Sequence, residues 1–186
     1  KYPEAVQMFE RKLACDTSNG YQFASHLNAA MSQMQMKQFK QAAEHILKAI
    51  EKRPDNVTAW KTLAQDYVQM EMADEEIGAY KKMIELALAA SENGDANKYA
   101  TDIEEAYRMI GVRYLLDKKY ALALEYLKKA LSLKPNDCQM LLWAGQAAQN
   151  SNNKEEAKRY YHKVLDITPK CKQAEEAAKY LKLLGD

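Results

Sequence analysis

The sequence predicts an all-α protein built from stacked antiparallel helix hairpins, and two observations support this prediction. Apolar residues recur three and four positions apart, as at Ala123, Leu127 and Leu131, which is the spacing of one face of a helix. Landmark residues recur at a fixed step of 34, as from Gly111 to Gly145, which is typical of helical repeat proteins. No segment shows the alternating pattern of a strand, so we expect none.

The composition indicates a folded protein and says little about its partner. The chain of 186 residues is 47% hydrophobic and 28% charged, within the range of folded domains. Its 27 basic and 26 acidic residues leave a net charge of +1, so bulk electrostatics indicate neither a nucleic acid nor a membrane surface as partner. No stretch approaches 18 consecutive apolar residues, so we expect no direct membrane insertion.

One sequence phrase occurs three times and marks the second helix of a hairpin. It reads FKQAAEHILKAIEKRPDN at 39–56, YALALEYLKKALSLKPND at 120–137 and KEEAKRYYHKVLDITPKC at 154–171. Each copy closes with a proline (Pro54, Pro135 or Pro169), which cannot continue a helix because it lacks a backbone N–H. Pro135 and Pro169 are one step of 34 apart, whereas Pro54 and Pro135 are 81 apart, which is two repeats and an insertion of 13.

These steps predict one continuous array over residues 1–186. In order it comprises a lone second helix, two repeats, an insertion, two further repeats and a C-terminal capping helix, at residues 1–14, 23–56, 57–91, 92–103, 104–137, 138–171 and 172–186. The lone helix suggests a fragment of a longer protein. The N-terminus has neither Met nor an apolar signal core, which suggests that any targeting segment has been removed.

Two irregularities lie in the middle of the array. In the second repeat Glu76 replaces a small Ala and no proline closes the helix, so we expect that helix to continue to Ser91. Within the insertion we expect Gly94 to end one helix and Thr101 or Asp102 to cap the next. The insertion either serves binding or is tolerated variation.

Small residues at equivalent positions explain how the hairpins pack. Gly111 and Gly145 lie inside helical patterns, where glycine costs about 1 kcal/mol relative to alanine. We attribute them to close crossing of the two helices of a hairpin, with large residues filling the remaining space. Ala30 and Ala64 occupy the same place in the first two repeats.

The repeats also share a pattern of larger residues. The best copy has Tyr107, Ile110, Gly111, Tyr114, Ala123, Leu127, Ala130 and Pro135, and the next has Leu141, Ala144, Gly145, Ala148, Ala157, Tyr161, Val164 and Pro169. The first two copies are degenerate, with His26 and Trp60 in the leading position. This pattern resembles the tetratricopeptide-repeat (TPR) family. The resemblance implies a right-handed superhelix whose first helices line a concave groove, and a scaffold that binds a peptide or helical segment of a partner protein.

Projecting the helical period onto the first helices gives the side chains expected on the groove wall. They are Leu27, Asn28, Met31, Lys61, Thr62, Gln65, Arg108, Met109, Val112, Leu142, Trp143 and Gln146. We expect none of them to be needed for hairpin packing. Trp143 is the strongest candidate anchor, because Leu141 and Ala144 already take the inward positions of its helix. The alternative is that the C-terminal helix or a neighbouring hairpin covers it.

Some members of the TPR family hold the C-terminal carboxylate of a chaperone with a Lys/Asn/Arg clamp, and this sequence completes no such clamp. In one register the clamp positions hold Leu27, Met31, Thr62 and Met109, and in the next they hold Lys61, Gln65, Met109 and Trp143. We therefore predict that chaperone tails are not ligands. A groove of methionine, leucine and amide side chains, charged at Lys61 and Arg108, suits a segment with a few apolar anchors.

The sequence contains no motif for catalysis or for a cofactor. His26, His45 and His162 are assigned to different hairpins without an i, i+4 partner, which disfavours a metal site. Acidic pairs such as Glu104 and Glu105 lie near helix starts, where carboxylates complement the helix dipole. We therefore expect no enzymatic activity, no cofactor and no metal.

The cysteines bear on the compartment. Cys15, Cys138 and Cys171 are odd in number and have no CxxC spacing, so we expect unpaired structural thiols rather than a disulfide framework. This favours a reducing, cytoplasmic compartment. A periplasmic or membrane-tethered fragment is the alternative.

Three functions stay open at this point. The first is a scaffold that captures a protein or peptide in its groove, as a free adaptor or as a domain of a larger assembly factor. The second is self-association or structural assembly, such as a homodimer, through the lone helix at 1–14. The third is RNA binding, which needs a basic groove rich in aromatic residues; two cations are too few, so we expect no nucleic acid partner.

Overall fold

The computed structural model describes residues 2–15, 18–92, 98–167 and 171–185, and all regular structure in these ranges is α-helical, as predicted. The chain divides into two compact units, residues 1–96 and 97–186. The first contains α1 (Tyr2–Cys15), α2 (Asn19–Gln35), α3 (Phe39–Lys52), α4 (Val57–Gln69) and α5 (Ala73–Glu92). The second contains α6 (Ala100–Leu116), α7 (Tyr120–Leu133), α8 (Cys138–Asn150), α9 (Lys154–Ile167) and α10 (Ala174–Leu183).

Each unit is a series of helices that pack on their neighbours in sequence. In the first unit α2 pairs with α3 and α4 with α5, and α1 packs on α2. In the second unit α6 pairs with α7 and α8 with α9, and α10 packs on α9. The inward positions of the repeat pattern form the cores, where Leu63, Ile110, Leu127 and Tyr161 are fully buried. Within the described ranges, no helix combines the length and apolar character needed to cross a membrane.

Two of the predicted closing prolines lie where expected. Pro54 follows the end of α3, and Pro135 follows the end of α7. Helix α5, which lacks such a proline, was predicted to continue to Ser91 and ends one residue later, at Glu92. Pro169 and Gly94 lie outside the described residues.

The start of α6 differs from the prediction. This helix begins at Ala100, because the Tyr99 carbonyl already accepts the backbone N–H of Ile103 at 2.9 Å. Thr101 and Asp102 therefore lie inside the first turn, and the prediction that one of them caps the helix is wrong. Side-chain propensity alone placed the cap too late, because Ala100 is already helical and Tyr99 is the N-cap residue.

Each of the four hairpins turns through one residue in the left-handed backbone conformation. These residues are Lys37, Glu71, Lys118 and Asn152, with φ between 58° and 61°. The residue after each one donates its N–H to a carbonyl five positions earlier, as from Lys119 to Tyr114 at 2.8 Å, which closes the first helix. Sequence patterns do not reveal these turns, because the glycine usual at this position is absent.

Close packing of the second helix of a hairpin against the first is found at two glycines. A Cβ atom added at Gly111 would lie 2.8 Å from Cγ of Leu127, and one added at Gly145 would lie 2.7 Å from Cδ1 of Tyr161. Leu127 and Tyr161 are fully buried, so neither can move away without opening the core. Gly78 on α5 would have nothing within 4 Å of such an atom. Packing therefore requires the first two glycines but not Gly78.

Replacing each glycine by alanine, which adds one methyl group, tests the difference between Gly145 and Gly78. We expect Gly145→Ala to lower the free energy of unfolding by about 1 to 3 kcal/mol, because the methyl group overpacks the contact with Tyr161. Gly78→Ala, the matched control, should raise the free energy of unfolding by about 0.5 to 1 kcal/mol, because alanine is the better helix former. Denaturant unfolding followed by circular dichroism measures both changes. Equal effects of the two substitutions would contradict the packing role of Gly145.

A buried carboxyl group on α4 is not explained by the repeat pattern. Asp66 is 0% exposed, and neither of its carboxylate oxygens has a hydrogen-bond partner among the described residues. Burial raises the pKa of Asp66 to about 6, because the charged form loses its hydration. Ionised Asp66 therefore destabilises the first unit.

The stability of the first unit should depend on pH through Asp66. Because the pKa of Asp66 is raised on folding from 3.8 to about 6, its stabilising contribution is complete below about pH 4 and is lost as the pH rises through 6. Asp66→Asn should remove this dependence, stabilising the chain by about 1 to 3 kcal/mol at pH 7.5 and changing little at pH 4. Urea unfolding at both pH values tests this, with the exposed Asp55→Asn as control. A loss of stability in Asp66→Asn at pH 7.5 would show that the carboxylate is stabilising.

Candidate functional site

The wall residues predicted in the first unit all keep some accessible surface. They are Leu27, Asn28 and Met31 on α2, and Lys61, Thr62 and Gln65 on α4. Met31 is the most open apolar member of this set, at 54% exposure. The Thr62 hydroxyl donates to the Thr58 carbonyl at 2.8 Å, so it is partly engaged within its own helix. These side chains stay candidate contacts for a partner.

The wall residues predicted in the second unit divide into accessible and buried ones. Arg108, Met109 and Val112 on α6, and Trp143 and Gln146 on α8, are partly exposed. Leu142 is 1% exposed, so its assignment to the groove wall is wrong. Helix α8 contacts α6, α7 and α9, which leaves a narrow strip of its surface open. Leu142 lies outside this strip although Trp143 is the next residue, because successive side chains of a helix point in different directions.

Arg108 and Trp143 come together in a surface hollow of the second unit, which we call the α6/α8 hollow. Its volume is about 390 Å³, within the range of small-ligand sites of about 300 to 1,000 Å³. The lining residues are Thr101, Glu104, Glu105, Arg108, Lys134, Asp137, Gln139 and Trp143. Helices α6 and α8 are the first helices of successive hairpins, so the hollow lies on the first-helix face of this unit.

Most of the lining was not identified from the sequence. Glu104 and Glu105 carried only the signal of an acidic pair near a helix start, and Lys134 and Asp137 belong to the turn before α8. These groups meet because the turn before α8 lies beside the first half of α6. Periodicity along one helix does not report which turn of another helix lies next to it.

One side of the hollow is a neutral ion pair. Lys134 Nζ lies 2.9 Å from Asp137 Oδ2, and Asp137 Oδ1 accepts the backbone N–H groups of Gln139 and Met140 at 3.1 and 3.0 Å. Burial opposes the ionisation of Asp137, but the hydrogen bonds from Lys134 and the backbone outweigh it and lower its pKa. The same hydrogen bond raises the pKa of Lys134. Both groups are therefore charged at neutral pH and already paired.

The other side of the hollow carries an incompletely paired carboxylate. Glu104 Oε1 is buried and accepts no hydrogen bond from the described part of the chain. Arg108 Nε lies 3.9 Å from this oxygen, close enough for an ion pair but too far for a hydrogen bond. The Glu104 side chain is 13% exposed and that of Arg108 is 32% exposed. A buried acceptor of this kind has capacity for one more donor.

The C-terminal helix covers a different part of α8. Gln146 Nε2 donates to Tyr180 Oη at 3.1 Å, and the Tyr180 ring stacks on Tyr161 with centroids 5.2 Å apart. Among the described residues, none from α10 lines the α6/α8 hollow. Helix α10 therefore reaches the predicted wall at Gln146, while Trp143 keeps part of its surface.

Comparison with known protein families agrees with this repeated geometry. The tetratricopeptide repeat family matches residues 23–56, 104–137 and 139–171, which together make up more than half of the chain. The chain belongs to the tetratricopeptide repeat family. Among proteins of curated function, none matches this TPR chain significantly.

Solved structures of similar fold include other repeat proteins. A crystal structure of MamA has 20% sequence identity to this chain and a TM-score of 0.70. The match covers 96% of this chain and 86% of the MamA chain. The crystal structure of YrrB, described as a TPR protein with an unusual peptide-binding site, is 19% identical. It covers 96% of the TPR chain and 84% of its own, with a TM-score of 0.71. At sequence identities of 20% and 19%, these two comparisons show a similar fold and nothing more.

Two histidines of the TPR chain meet inside one hairpin. His26 on α2 and His45 on α3 have their Nδ1 atoms 2.9 Å apart, so the prediction that the histidines lie on different hairpins is wrong for this pair. They meet because α2 and α3 are the two helices of one repeat. Burial lowers the pKa of both imidazoles, that of His26 to about 4, so the pair is mainly neutral at pH 7. The described ranges contain no group of three His, Cys, Asp or Glu side chains suited to a metal ion.

Cys138 and Cys171 are joined as a disulfide, so the prediction of unpaired thiols is wrong for these two residues. Cys138 begins α8 and Cys171 precedes α10, and their Cα atoms are 6.5 Å apart, within the range of disulfides. They meet because α9 returns the chain to the starting end of α8. The expectation of a reducing compartment loses the support that it drew from unpaired cysteines.

Thiol counting tests this bond. In denaturant without reductant, Cys15 should be the one reactive thiol, and all three cysteines should react after reduction. Reduction should also lower the free energy of unfolding of the second unit by about 3 to 4 kcal/mol, because a loop of 33 residues is no longer closed in the unfolded chain. Cys15→Ser is the control that leaves the bond intact. Three reactive thiols before reduction would show that the bond does not form in solution.

Proposed function

We propose that this TPR chain is a protein-interaction scaffold, a domain of a larger protein, that binds a peptide or helical segment of a partner. In this proposal the partner lies along the first-helix face of the second unit, and the α6/α8 hollow anchors it. The observation that carries the proposal is the partly exposed Trp143 beside Arg108 in that hollow. YrrB, of similar fold, is described as having a peptide-binding site, which supports a peptide as the class of ligand.

Trp143 supplies the main anchor in this proposal. Tryptophan contributes a large apolar surface together with one N–H donor, and such residues dominate the binding energy of many interfaces. Met109 and Val112 on α6 are partly exposed and extend the apolar surface beyond the hollow. Methionine adapts to varied apolar shapes, so this surface suits a segment with a few apolar side chains.

The charges of the hollow favour a protein ligand over the other classes. Its lining contains three carboxylates and two cations, which would repel the phosphate backbone of RNA. A C-terminal carboxylate would meet Glu104 and Glu105 rather than a cluster of cations. The incomplete clamp and the acidic lining thus both argue against a chaperone tail as ligand.

Affinity capture with matched variants tests the proposal. The wild-type chain is immobilised, and partners captured from a lysate of its native organism are identified and quantified by mass spectrometry. We expect Trp143→Ala to reduce a specific captured partner by about tenfold or more, because the central aromatic anchor is lost. Leu122→Ala, which removes an exposed apolar side chain on α7 outside the hollow, is the control and should capture as much as the wild type.

Circular dichroism must show that both variants keep the wild-type fold. Equal capture by wild type and Trp143→Ala would exclude the hollow as the anchor site. A direct titration with a peptide from the captured partner then measures the affinity without other components of the lysate.

Self-association is the second candidate function, and exposed side chains on α1 favour it. Tyr2 and Met8 are 49% and 44% exposed on this helix. Sedimentation velocity at several concentrations separates the two candidates. A mass that rises with concentration favours self-association, whereas a constant mass with capture that depends on Trp143 favours the scaffold.

A further inference from the structure

We propose that the disulfide between Cys138 and Cys171 is a redox control of the α6/α8 hollow, which binds its segment more tightly when the bond is formed than when it is reduced. The inference rests on the proposed function and adds how binding at that site is regulated. It is carried by the position of the disulfide at the start of α8 and by a hydrogen bond that connects it to the lining of the hollow.

The disulfide joins α8 at the edge of the hollow. Cys138 begins α8 and lies between Asp137 and Gln139, which both line the hollow. Asp137 Oδ1 accepts the backbone N–H of Gln139 at 3.1 Å, across the cysteine. Trp143 lies four positions after Gln139, so these two lining side chains share one face of the helix. A change at the start of α8 therefore acts on the proposed anchor.

A side-chain amide links the disulfide to the lining. Gln173 lies two positions after Cys171, and its Oε1 is 3.4 Å from Sγ of that cysteine. Its Nε2 donates to Oε1 of Gln139 at 2.7 Å. The disulfide holds the chain before α10 at the start of α8, so Gln173 is kept beside Gln139. The Gln139 side chain is thereby fixed in the lining of the hollow.

The other contacts of α10 do not depend on the disulfide. Ala177 and Leu181 are buried, and α10 packs on α9. Further along α10, Tyr180 Oη accepts Nε2 of Gln146 at 3.1 Å. Loss of the disulfide therefore releases the two glutamine amides near it and leaves α10 in place. The hollow then loses a preorganised side chain, which weakens the binding of a ligand.

The disulfide is accessible to a reductant. Cys138 and Cys171 are both partly exposed. We assign the reductant to the class of dithiols. One thiolate of the dithiol attacks a sulfur of the disulfide and forms a mixed disulfide, and its second thiol then displaces the protein sulfur. The dithiol ends as a disulfide, and its two electrons and two protons end on the protein as two cysteine thiols.

Nuclear magnetic resonance of the folded chain tests the coupling without a ligand. The reporter is the indole N–H signal of Trp143, assigned by its absence from the spectrum of Trp143→Phe. The chain is equilibrated with mixtures of reduced and oxidised dithiothreitol, and thiol labelling gives the fraction reduced. We expect two positions of the signal, one for each state, with intensities that follow this fraction. A single unchanged position would overturn the inference.

A variant that keeps the disulfide separates the amide contact from the bond itself. Gln173→Ala removes the contact with Gln139 while the disulfide stays formed, so its Trp143 signal should move from the oxidised towards the reduced position. Lys172→Ala, at the exposed neighbouring residue, is the matched control and should leave the signal unchanged. Cys15→Ser should respond to dithiothreitol as the wild type does. A Gln173→Ala signal at the oxidised position would show that the bond does not act through this contact.

Affinity capture measures the effect on binding. A chain with both Cys138→Ser and Cys171→Ser stands for the reduced state in any buffer. The lysate is treated with N-ethylmaleimide, which is then removed, so that its thiols do not reduce the wild type. We expect the double variant to capture about three- to tenfold less of the partner than the oxidised wild type, because its hollow is less preorganised. Circular dichroism must show that the double variant is folded.

The outcomes separate the inference from the proposed function. Equal capture by the double variant and the oxidised wild type, with loss of capture in Trp143→Ala, would keep the function and reject the redox control. Capture that does not depend on Trp143 rejects the proposed function, and the resonance experiment then decides the coupling by itself. If the double variant does not fold, Gln173→Ala with its disulfide intact takes its place in the capture experiment, with the same expected direction.

Discussion

The close packing of the second helix against a glycine of the first, in the two hairpins of the second unit, is the constraint on which the rest of that unit depends. At Gly111 and Gly145 no Cβ separates the first helix from Leu127 or Tyr161 on the second. These contacts fix the distance and the register of the paired helices, because a protein core has no free volume into which they can slide. Both glycines occupy the same place in their repeats, so the two hairpins of the second unit are built alike. Their first helices, α6 and α8, can then lie side by side.

The α6/α8 hollow follows from this regularity, and its chemistry follows from local choices. The turn before α8 closes one end of the hollow, and Asp137 in that turn both caps α8 and neutralises Lys134. Glu104, on the other side of the hollow, has one buried oxygen that accepts no hydrogen bond within the described part of the chain and lies 3.9 Å from Arg108 Nε. These two carboxylates therefore differ, because Asp137 is hydrogen-bonded by the fold and Glu104 is only ion-paired.

The first unit contains several residues whose side chains are unusual for their positions in the repeat. Asp66 stands at a buried position of α4, and its burial opposes the ionisation of the carboxyl group. His26 and His45 bring two imidazoles into contact inside one hairpin, with their Nδ1 atoms 2.9 Å apart. The hairpin turns use Lys37 and Glu71 in a backbone conformation that glycine adopts more easily. The buried Asp66 and the left-handed turn residues lower stability locally, and cooperative packing of neighbouring helices makes them tolerable.

The sequence by itself determined the helices, the step of 34 and the need for small residues at Gly111 and Gly145. These are periodic signals that a single helix carries through the spacing of its side chains. It also indicated that Trp143 keeps an open surface, because Leu141 and Ala144 fill the inward positions of α8. Tertiary structure alone decided the burial of Leu142, since that depends on how many helices surround α8. It likewise decided the pairs Cys138–Cys171 and His26–His45, as well as the set of charges around Trp143. Such contacts join residues on different helices, and their register depends on how whole helices pack, which no local pattern encodes.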